Sequence, residues 1–453
     1  MRVRQTFGAG VRATLAAVAV AAAMVAATPT AGADPLDFYS PRHALELASF
    51  APGAVLDTRT VAFHLSQVPT PLTVIQIVYR STDARGNAVA NVTSVIKPVG
   101  VERARGVVSF QSAYDSLNPE DGPSRAIAGD AHIGGFTDSG GNLAIGALFP
   151  SGEATMFARL LMQGYSVVIA DTEGQQANFS AGPEYGMNTL DSLRAAASVA
   201  DTGITPGTPT VLMGYSGGAI ASNWAAILAP DYAPDINAQL IGVAQGGLLV
   251  NPAHTQRYAS GSAAWGGVVG MAVVGVSRSY GIDLDPYLSD YGRQILTRFQ
   301  DASILNVLGQ YPGLSWQQLV QPRYADPDSI PELVEVSNKI NMGLAPTPTI
   351  PMYVAQGTAG VLEGTTPGGP GIGDGDGIMV AGDARALMNR YCAAGVAVQY
   401  NQFDYASHLS LAPIWTLQAT AWITDRFAAR PVPSNCNQIP PGNSLDAVVA
   451  RLP

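Results

Sequence analysis

The stretch Thr210-Val211-Leu212-Met213-Gly214-Tyr215-Ser216-Gly217-Gly218-Ala219 drives a short apolar run into a cluster of small residues, and a helix-forming segment, residues 219–229, follows at once. Strand, sharp turn and helix in immediate succession leave the chain few folds to choose from. The turn Gly214-Tyr215-Ser216-Gly217-Gly218 fits the pattern G-x-S-x-G, in which a serine sits at the tip of a strained elbow with its hydroxyl above a sheet. At Gly214 and Gly218 a Cβ would clash between the strand and the returning helix. Ser216 is therefore the candidate nucleophile. The backbone amide of Gly217 points to where an ester oxygen would become an oxyanion.

The chain has 453 residues, 47% of them hydrophobic and only 13% charged, enough to bury a large core as one elaborated domain. A formal net charge of −10 argues against a nucleic acid partner. Residues 1–33 read as a secretory signal: Arg2, Arg4 and Arg12, an apolar run at 13–27, then Ala31-Gly32-Ala33 before Asp34. The run is too short to span a bilayer, and no other stretch resembles a membrane span. The mature chain is thus expected outside the cell, released or associated with the cell surface. In that setting Cys392 and Cys436 are expected to pair and pin a C-terminal tail, residues 431–453. Neither has the spacing of a metal site, and no metal or cofactor is expected.

Strands are expected at 74–82, 91–98 and 106–112 after a helix-containing lead-in at 34–69, the first two joined as a hairpin through Asp83-Ala84-Arg85-Gly86. A helix at 153–164 then leads into a strand at 166–171, a helix at 190–200 leads into the elbow strand, and a strand at 240–244 follows the elbow helix. This βαβ rhythm implies an α/β fold with a mostly parallel sheet and a ligand site at the carboxyl ends of its strands. The rhythm runs through residues 34–246, stops at 247–348, and resumes at 349–430 with a strand at 350–357, a helix at 383–394, a strand at 396–403 and a helix at 413–427. The interruption carries helix candidates at 263–276, 286–299 and 331–340 and reads as an inserted helical cap. The piece at 263–276 is apolar nearly all round and suits either a buried helix or the wall of a site for a greasy ligand.

A serine needs a base to take its proton and an acid to hold that base in the right tautomer. Of five histidines, the chain order Ser, acid, His leaves His254 and His408. His254 follows a core strand too closely to leave room for an acid between, and suits a polar entrance to the cap. His408, in Tyr405-Ala406-Ser407-His408-Leu409 after the last strand and before the final helix, stands where the base belongs. For the acid, Asp376 ranks first and Asp374 second, both in Gly373-Asp374-Gly375-Asp376-Gly377. Asp404 stands close to His408 in sequence, and Asp383 is expected to cap a helix. The Asp-Gly-Asp-Gly piece resembles part of a calcium loop, but the other ligands and the closing Glu are missing. A second oxyanion amide is expected from the loop after the third strand, Gln111-Ser112-Ala113-Tyr114-Asp115-Ser116, where Asp115 suits either that role or a turn.

These residues resemble the secretory lipases of fungi and actinobacteria, a branch of the α/β-hydrolases. The resemblance covers nearly all of the mature chain and rests on Gly214 to Ala219, the Gln111 to Ser116 segment, Leu190-Asp191-Ser192-Leu193-Arg194-Ala195-Ala196, Arg390-Tyr391-Cys392-Ala393-Ala394-Gly395 and Ser407-His408. It implies an α/β-hydrolase fold, a triad of Ser216, Asp376 and His408, an oxyanion hole from Gly217 and Asp115, and a helical cap that shapes an acyl tunnel. One departure stands out. The family places its acid directly after the strand as Gly-Thr-x-Asp, whereas this chain reads Gly357-Thr358-Ala359-Gly360 and reaches Asp376 only after a glycine-rich loop. The acid then serves only if that loop folds back.

The expected function is hydrolysis of carboxylic esters of lipid-like substrates, as a triacylglycerol lipase or carboxylesterase, at a lipid–water interface or in solution. An acyltransferase on the same triad is one alternative, and a non-catalytic lipid-binding protein of hydrolase fold is another.

Overall fold

A computed structural model describes residues 38–39 and 44–451, so the expected signal at 1–33 lies outside the described residues. Nine strands form one sheet: β1 (Val55–Leu65), β2 (Val68–Thr82), β3 (Ala88–Ile96), β4 (Val107–Gln111), β5 (Ser166–Ala170), β6 (Thr210–Tyr215), β7 (Leu240–Gly246), β8 (Met352–Gly357) and β9 (Val398–Phe403). Their spatial order is β1-β2-β3-β5-β4-β6-β7-β8-β9. The first three are antiparallel and β3 joins β5 antiparallel; every pairing from β5 onward is parallel. Strands β4, β5, β6 and β8 are buried at every position, as expected for a parallel sheet covered on both faces. One face is packed by helices Gly182–Ser198, Gly217–Tyr232 and Ala381–Ala393, through residues such as Leu190, Trp224 and Leu387. The other is packed by Leu148–Met162 and His408–Phe427, through Phe157, Trp415 and Trp422.

Between β7 and β8 the chain is helical, with Pro252–Ala259, Gly266–Tyr280, Asp290–Phe299 and Pro331–Lys339 as its longer pieces. These helices share a separate apolar core, in which Trp265, Met271 and Phe299 pack with Ile378 and Met379 from the loop that carries Asp376. The apolar helix reads out as mostly buried, with Val268, Met271 and Val274 inside.

The lead-in corrects one expectation. Residues 34–69 hold a short 3-10 helix, Ala44–Ser49, but also the whole of β1. That strand carries Asp57 and Arg59 and only one fully buried side chain, so it lacks an apolar run, as suits a sheet edge. Its turn into β2 consists of Ser66 and Gln67, both at positive φ (47° and 69°), a hairpin geometry normally announced by Asn-Gly. The expected β2–β3 hairpin is present, pairing Thr82 with Ala88.

Three helices, Leu148–Met162, Gly182–Ser198 and His408–Phe427, begin at least five residues earlier than expected. Gly182–Ser198 includes Gly182 and Gly186, which read as loop residues; at Gly186 a Cβ would meet the backbone of Trp224 at 2.7 Å, so the glycine lets two helices touch. The last helix begins at His408 and not at Pro413, because Ser407 and Ser410 form a capping box at its start.

Cys392 and Cys436 are disulfide-bonded, joining the helix Ala381–Ala393 to the tail beyond the last helix. The bond spans 44 residues of sequence, a loop for which chain entropy sets a ceiling of about 4 kcal/mol. Replacing both cysteines by serine is expected to lower the unfolding free energy by about 2–4 kcal/mol. Urea denaturation followed by circular dichroism measures it, and an unchanged midpoint refutes a stabilising role.

Candidate active site

β6 ends at Tyr215 and the helix Gly217–Tyr232 begins two residues later, so Ser216 alone makes the turn, at φ 56° and ψ −121°. A non-glycine residue in such a region costs on the order of 1–3 kcal/mol and persists only where its surroundings fix it. Here the Ser216 N–H donates to the Gly246 carbonyl at 2.9 Å, and the Ser216 carbonyl accepts from Ala219 and Ile220. A Cβ at Gly214 would strike the Gly218 carbonyl, and one at Gly218 the Gln111 carbonyl on β4. The elbow's glycines are thus required by contact between strand and helix.

Ser216 Oγ lies 2.8 Å from His408 Nε2, and His408 Nδ1 lies 2.8 Å from Asp376 Oδ2. With Nδ1–H donating to the carboxylate, Nε2 is free to accept the serine proton. His408 and Asp376 are both buried. The aspartate is fully satisfied: Oδ1 accepts from the amides of Ile378 (3.1 Å) and Met379 (2.8 Å), and Oδ2 also accepts from Gln356 Nε2 at 3.0 Å. Its main-chain carbonyl accepts from the His408 N–H at 2.7 Å. Burial alone would lower the His408 pKa, but the charge and hydrogen bond of Asp376 outweigh it and hold the imidazole above its ordinary value.

The glycine-rich loop does fold back. Gly360 N–H donates to the Gly375 carbonyl at 2.9 Å, and Thr365 Oγ1 to Gly377 at 2.6 Å, so the excursion closes on itself and delivers Asp376 beside the end of β8. Asp374, the second candidate, is exposed and outside the cluster. Asp404 accepts from Thr358 and Gln402. Asp383 does not cap its helix: Val380 holds that position, and Asp383, two residues into the helix, accepts from His254 Nδ1 at 2.9 Å and from Asn443 at 2.8 Å. His254 is thereby committed to a different pair.

Asp115 also stands at the elbow, with its carboxyl so close to Gly217 that any Cβ there would overlap it. Its φ is 37°, and its N–H has no hydrogen-bond partner among the described residues. The Gly217 N–H, in the first turn of its helix, has no intrahelical partner either. The loop around Asp115 is fixed by buried acids from elsewhere. Glu153 accepts from Ser112 Oγ and from the Ala113 N–H, Glu173 from the Ser116 N–H, and Asp121 from Ser116 Oγ. Burial pushes the Glu153 carboxyl up to about 8 and Glu173 well above the usual range. Burial likewise pushes Asp115 up to about 7, opposed by the charge of His408.

Several side chains at the site carried no sequence signal. Tyr215 OH donates to the His408 carbonyl at 2.5 Å, and its ring lies 5.1 Å from the imidazole. Trp265 meets His408 edge-on at 5.1 Å and donates to Glu363, which also accepts from the Leu409 N–H. Only the position of Tyr215 inside the G-x-S-x-G stretch hinted at its proximity.

From Ser216, Gly217 and Asp115 a largely apolar cavity runs under the helices of residues 247–348, lined by Trp224, Leu249, Val268, Ala272, Leu333 and Met379 among others. The cavity has a volume of about 150 Å³. No described helix is long and apolar enough to cross a membrane.

Known proteins resemble this chain as a whole. A family model described as secretory lipase matches residues 142–435. A Mycobacterium tuberculosis protein named "Probable inactive lipase MT1628" is 30% identical over 403 residues, covering 87% of this chain and 82% of that one. Lipase 5 of Candida albicans is 28% identical over 427 residues, covering 90% and 84%. Among solved structures, lipase A of Candida antarctica in its closed state superposes with a TM-score of 0.73 at 22% identity, over 92% of this chain and 91% of that one, which establishes a shared α/β-hydrolase fold. With a family match across most of its length and relatives aligned nearly end to end, the chain belongs to the secretory lipase family.

Proposed function

We propose that this lipase-family protein is an exported serine hydrolase that cleaves carboxylic esters of lipid-like substrates through an acyl-enzyme. The reading is carried by one observation: the continuous hydrogen-bonded relay Ser216–His408–Asp376 opens directly into an apolar cavity. Ser216 Oγ attacks the ester carbonyl carbon as its proton passes to His408 Nε2, and Asp376 steadies the imidazolium that forms. The carbonyl oxygen, now an oxyanion, takes hydrogen bonds from the amides of Gly217 and Asp115, donors of a kind whose loss typically costs about 2.7–4 kcal/mol of barrier. The imidazolium returns its proton to the departing alcohol. Water then repeats the sequence on the acyl-enzyme and frees the acid and Ser216. The helices of residues 247–348 act as a cap whose apolar underside receives the acyl chain.

The Asp115 carboxyl adds a pH dependence. When protonated it is a neutral neighbour of the oxyanion; once ionised it places a negative charge beside one that is developing, which raises the barrier. Activity therefore needs His408 deprotonated and Asp115 protonated.

One observation favours a second reading, an inert lipid-binding hydrolase fold: the Mycobacterium tuberculosis relative is named a probable inactive lipase. The two readings part on whether Ser216 reacts.

With p-nitrophenyl esters from acetyl to palmitoyl, the protein is expected to turn over substrate and to be labelled at Ser216 by a fluorophosphonate. Ser216→Ala should abolish both, and Asp376→Asn should cut kcat by about ten-thousandfold. A folded protein that neither hydrolyses any member nor takes the label is the inert scaffold. Across pH, kcat/KM should pass through a bell with its alkaline fall near pH 7, where Asp115 ionises. Asp115→Asn, which keeps the backbone amide, should remove that fall and leave the acid limb in place. An unchanged alkaline limb would rule Asp115 out as its source.

A further inference from the structure

One liner of the cavity comes from outside the cap: Val448, in the tail beyond the disulfide. Its depth follows from the helix Gly217–Tyr232. Ser216 precedes that helix and Trp224, eight residues further on, also lines the cavity, which therefore reaches about 12 Å from the serine at about 1.5 Å per residue. At that level Asn223 Nδ2 donates to Met342 Sδ at 3.0 Å, so residues 340–343 stand there, and Ile340 is a liner. The tail is tied to these residues and to the helix before them. Asn341 Nδ2 donates to the Leu445 carbonyl at 3.2 Å, and a Cβ at Gly343 would meet Leu445 at 2.4 Å. Asn338 holds the main chain of Val448 twice, its Oδ1 accepting from the Val448 N–H and its Nδ2 donating to the Val448 carbonyl, each at 2.9 Å. The Arg451 N–H then donates to the Asp328 carbonyl at 2.9 Å.

A side-chain amide that bonds both main-chain groups of one residue fixes that residue much as a neighbouring strand would. Val448 is thereby held with its side chain on the cavity and is itself only partly buried, whereas Val449 is 76% exposed. A single side chain thus stands between this part of the cavity and solvent. The helix that carries Asn338 adds Leu333, Val334 and Ser337 to the wall, and the charged liners Arg257 and Asp328 pair with each other. No unpaired charge meets a chain end here, so what decides how far a chain can run is size. We infer that Val448 is a specificity residue, whose side chain stops the cavity at the level of Trp224 and sets the longest acyl chain that the site accepts. This narrows the substrate class of the site described above and rests on the ester-hydrolase reading. Val448 takes no part in bond making.

The test measures kcat/KM for p-nitrophenyl esters from butanoyl to stearoyl, each relative to the butanoyl ester, whose chain ends well short of Val448. The full protein is compared with Val448→Ala, Val448→Trp and, as a control on the exposed neighbour, Val449→Trp. The wild type is expected to rise with chain length to a maximum and then fall. A buried methylene is worth about fourfold, so Val448→Ala should favour the ester just beyond that maximum by about fourfold or more, and Val448→Trp should move the maximum to shorter chains. Val449→Trp should leave the profile in place. If Val448→Trp does not fold, as judged by circular dichroism, the alanine variant decides. A wild type with no maximum up to stearoyl, a profile that folded Val448 variants do not move, or one that Val449→Trp moves as far overturns the proposal. If no ester is hydrolysed at all, the ester-hydrolase reading fails separately. The limit is then read from binding of the saturated fatty acids, followed through the cavity tryptophans Trp224, Trp265 and Trp316. An affinity that stops rising at a longer chain in Val448→Ala than in the wild type sustains the proposal, and an unchanged limit rejects it.

Discussion

A fully buried carboxylate can be kept only where donors surround it, and the geometry of this site depends on how Asp376 meets that condition. Two backbone amides, one glutamine and the imidazole share its two oxygens, while its own carbonyl holds the first amide of the final helix. The histidine is therefore tied to the same residue twice, through its ring and through its main chain. That double attachment sets the ring plane. Tyr215 and Trp265 then pack beside it, and Nε2 is left facing the serine at the elbow.

The loop opposite the histidine is organised by the reverse arrangement, in which buried acids supply acceptors to loop amides and hydroxyls. Glu153, Glu173 and Asp121 hold residues 112–116 from three separate elements, so the orientation of the Asp115 amide is a property of the whole core and not of a short turn. Burial raises the proton affinities of all four carboxyls together. The protonation of this loop and that of the histidine are consequently linked, through the opposing charges of Asp115 and His408.

How much of this could be read from the sequence depended on whether the physical cause was local. Ser216 was legible because its neighbours must be glycine for the turn to exist, and His408 because chain order removed its rivals. Asp376 and Asp374 could not be separated by spacing, since burial distinguishes them and burial is set by a loop that closes over many residues. The β1 strand was hidden by a turn of Ser66 and Gln67 that adopts a glycine-like geometry without glycine. The start of the helix Gly182–Ser198 was hidden by glycines chosen for contact with a second helix.

The neck between Gly360 and Gly375 has a wider consequence. Because the chain enters and leaves the glycine-rich excursion at hydrogen-bonded, adjacent points, its tip, residues 366–373, is set apart from the aspartate that follows, while Glu363 and Thr365 near its base are bonded to the site. Closing a longer or shorter loop across a fixed neck changes its entropy only logarithmically. The tip can therefore change in length without moving the acid. Along the chain, the interval from strand to aspartate is elastic, while the position of the carboxylate in space is rigid.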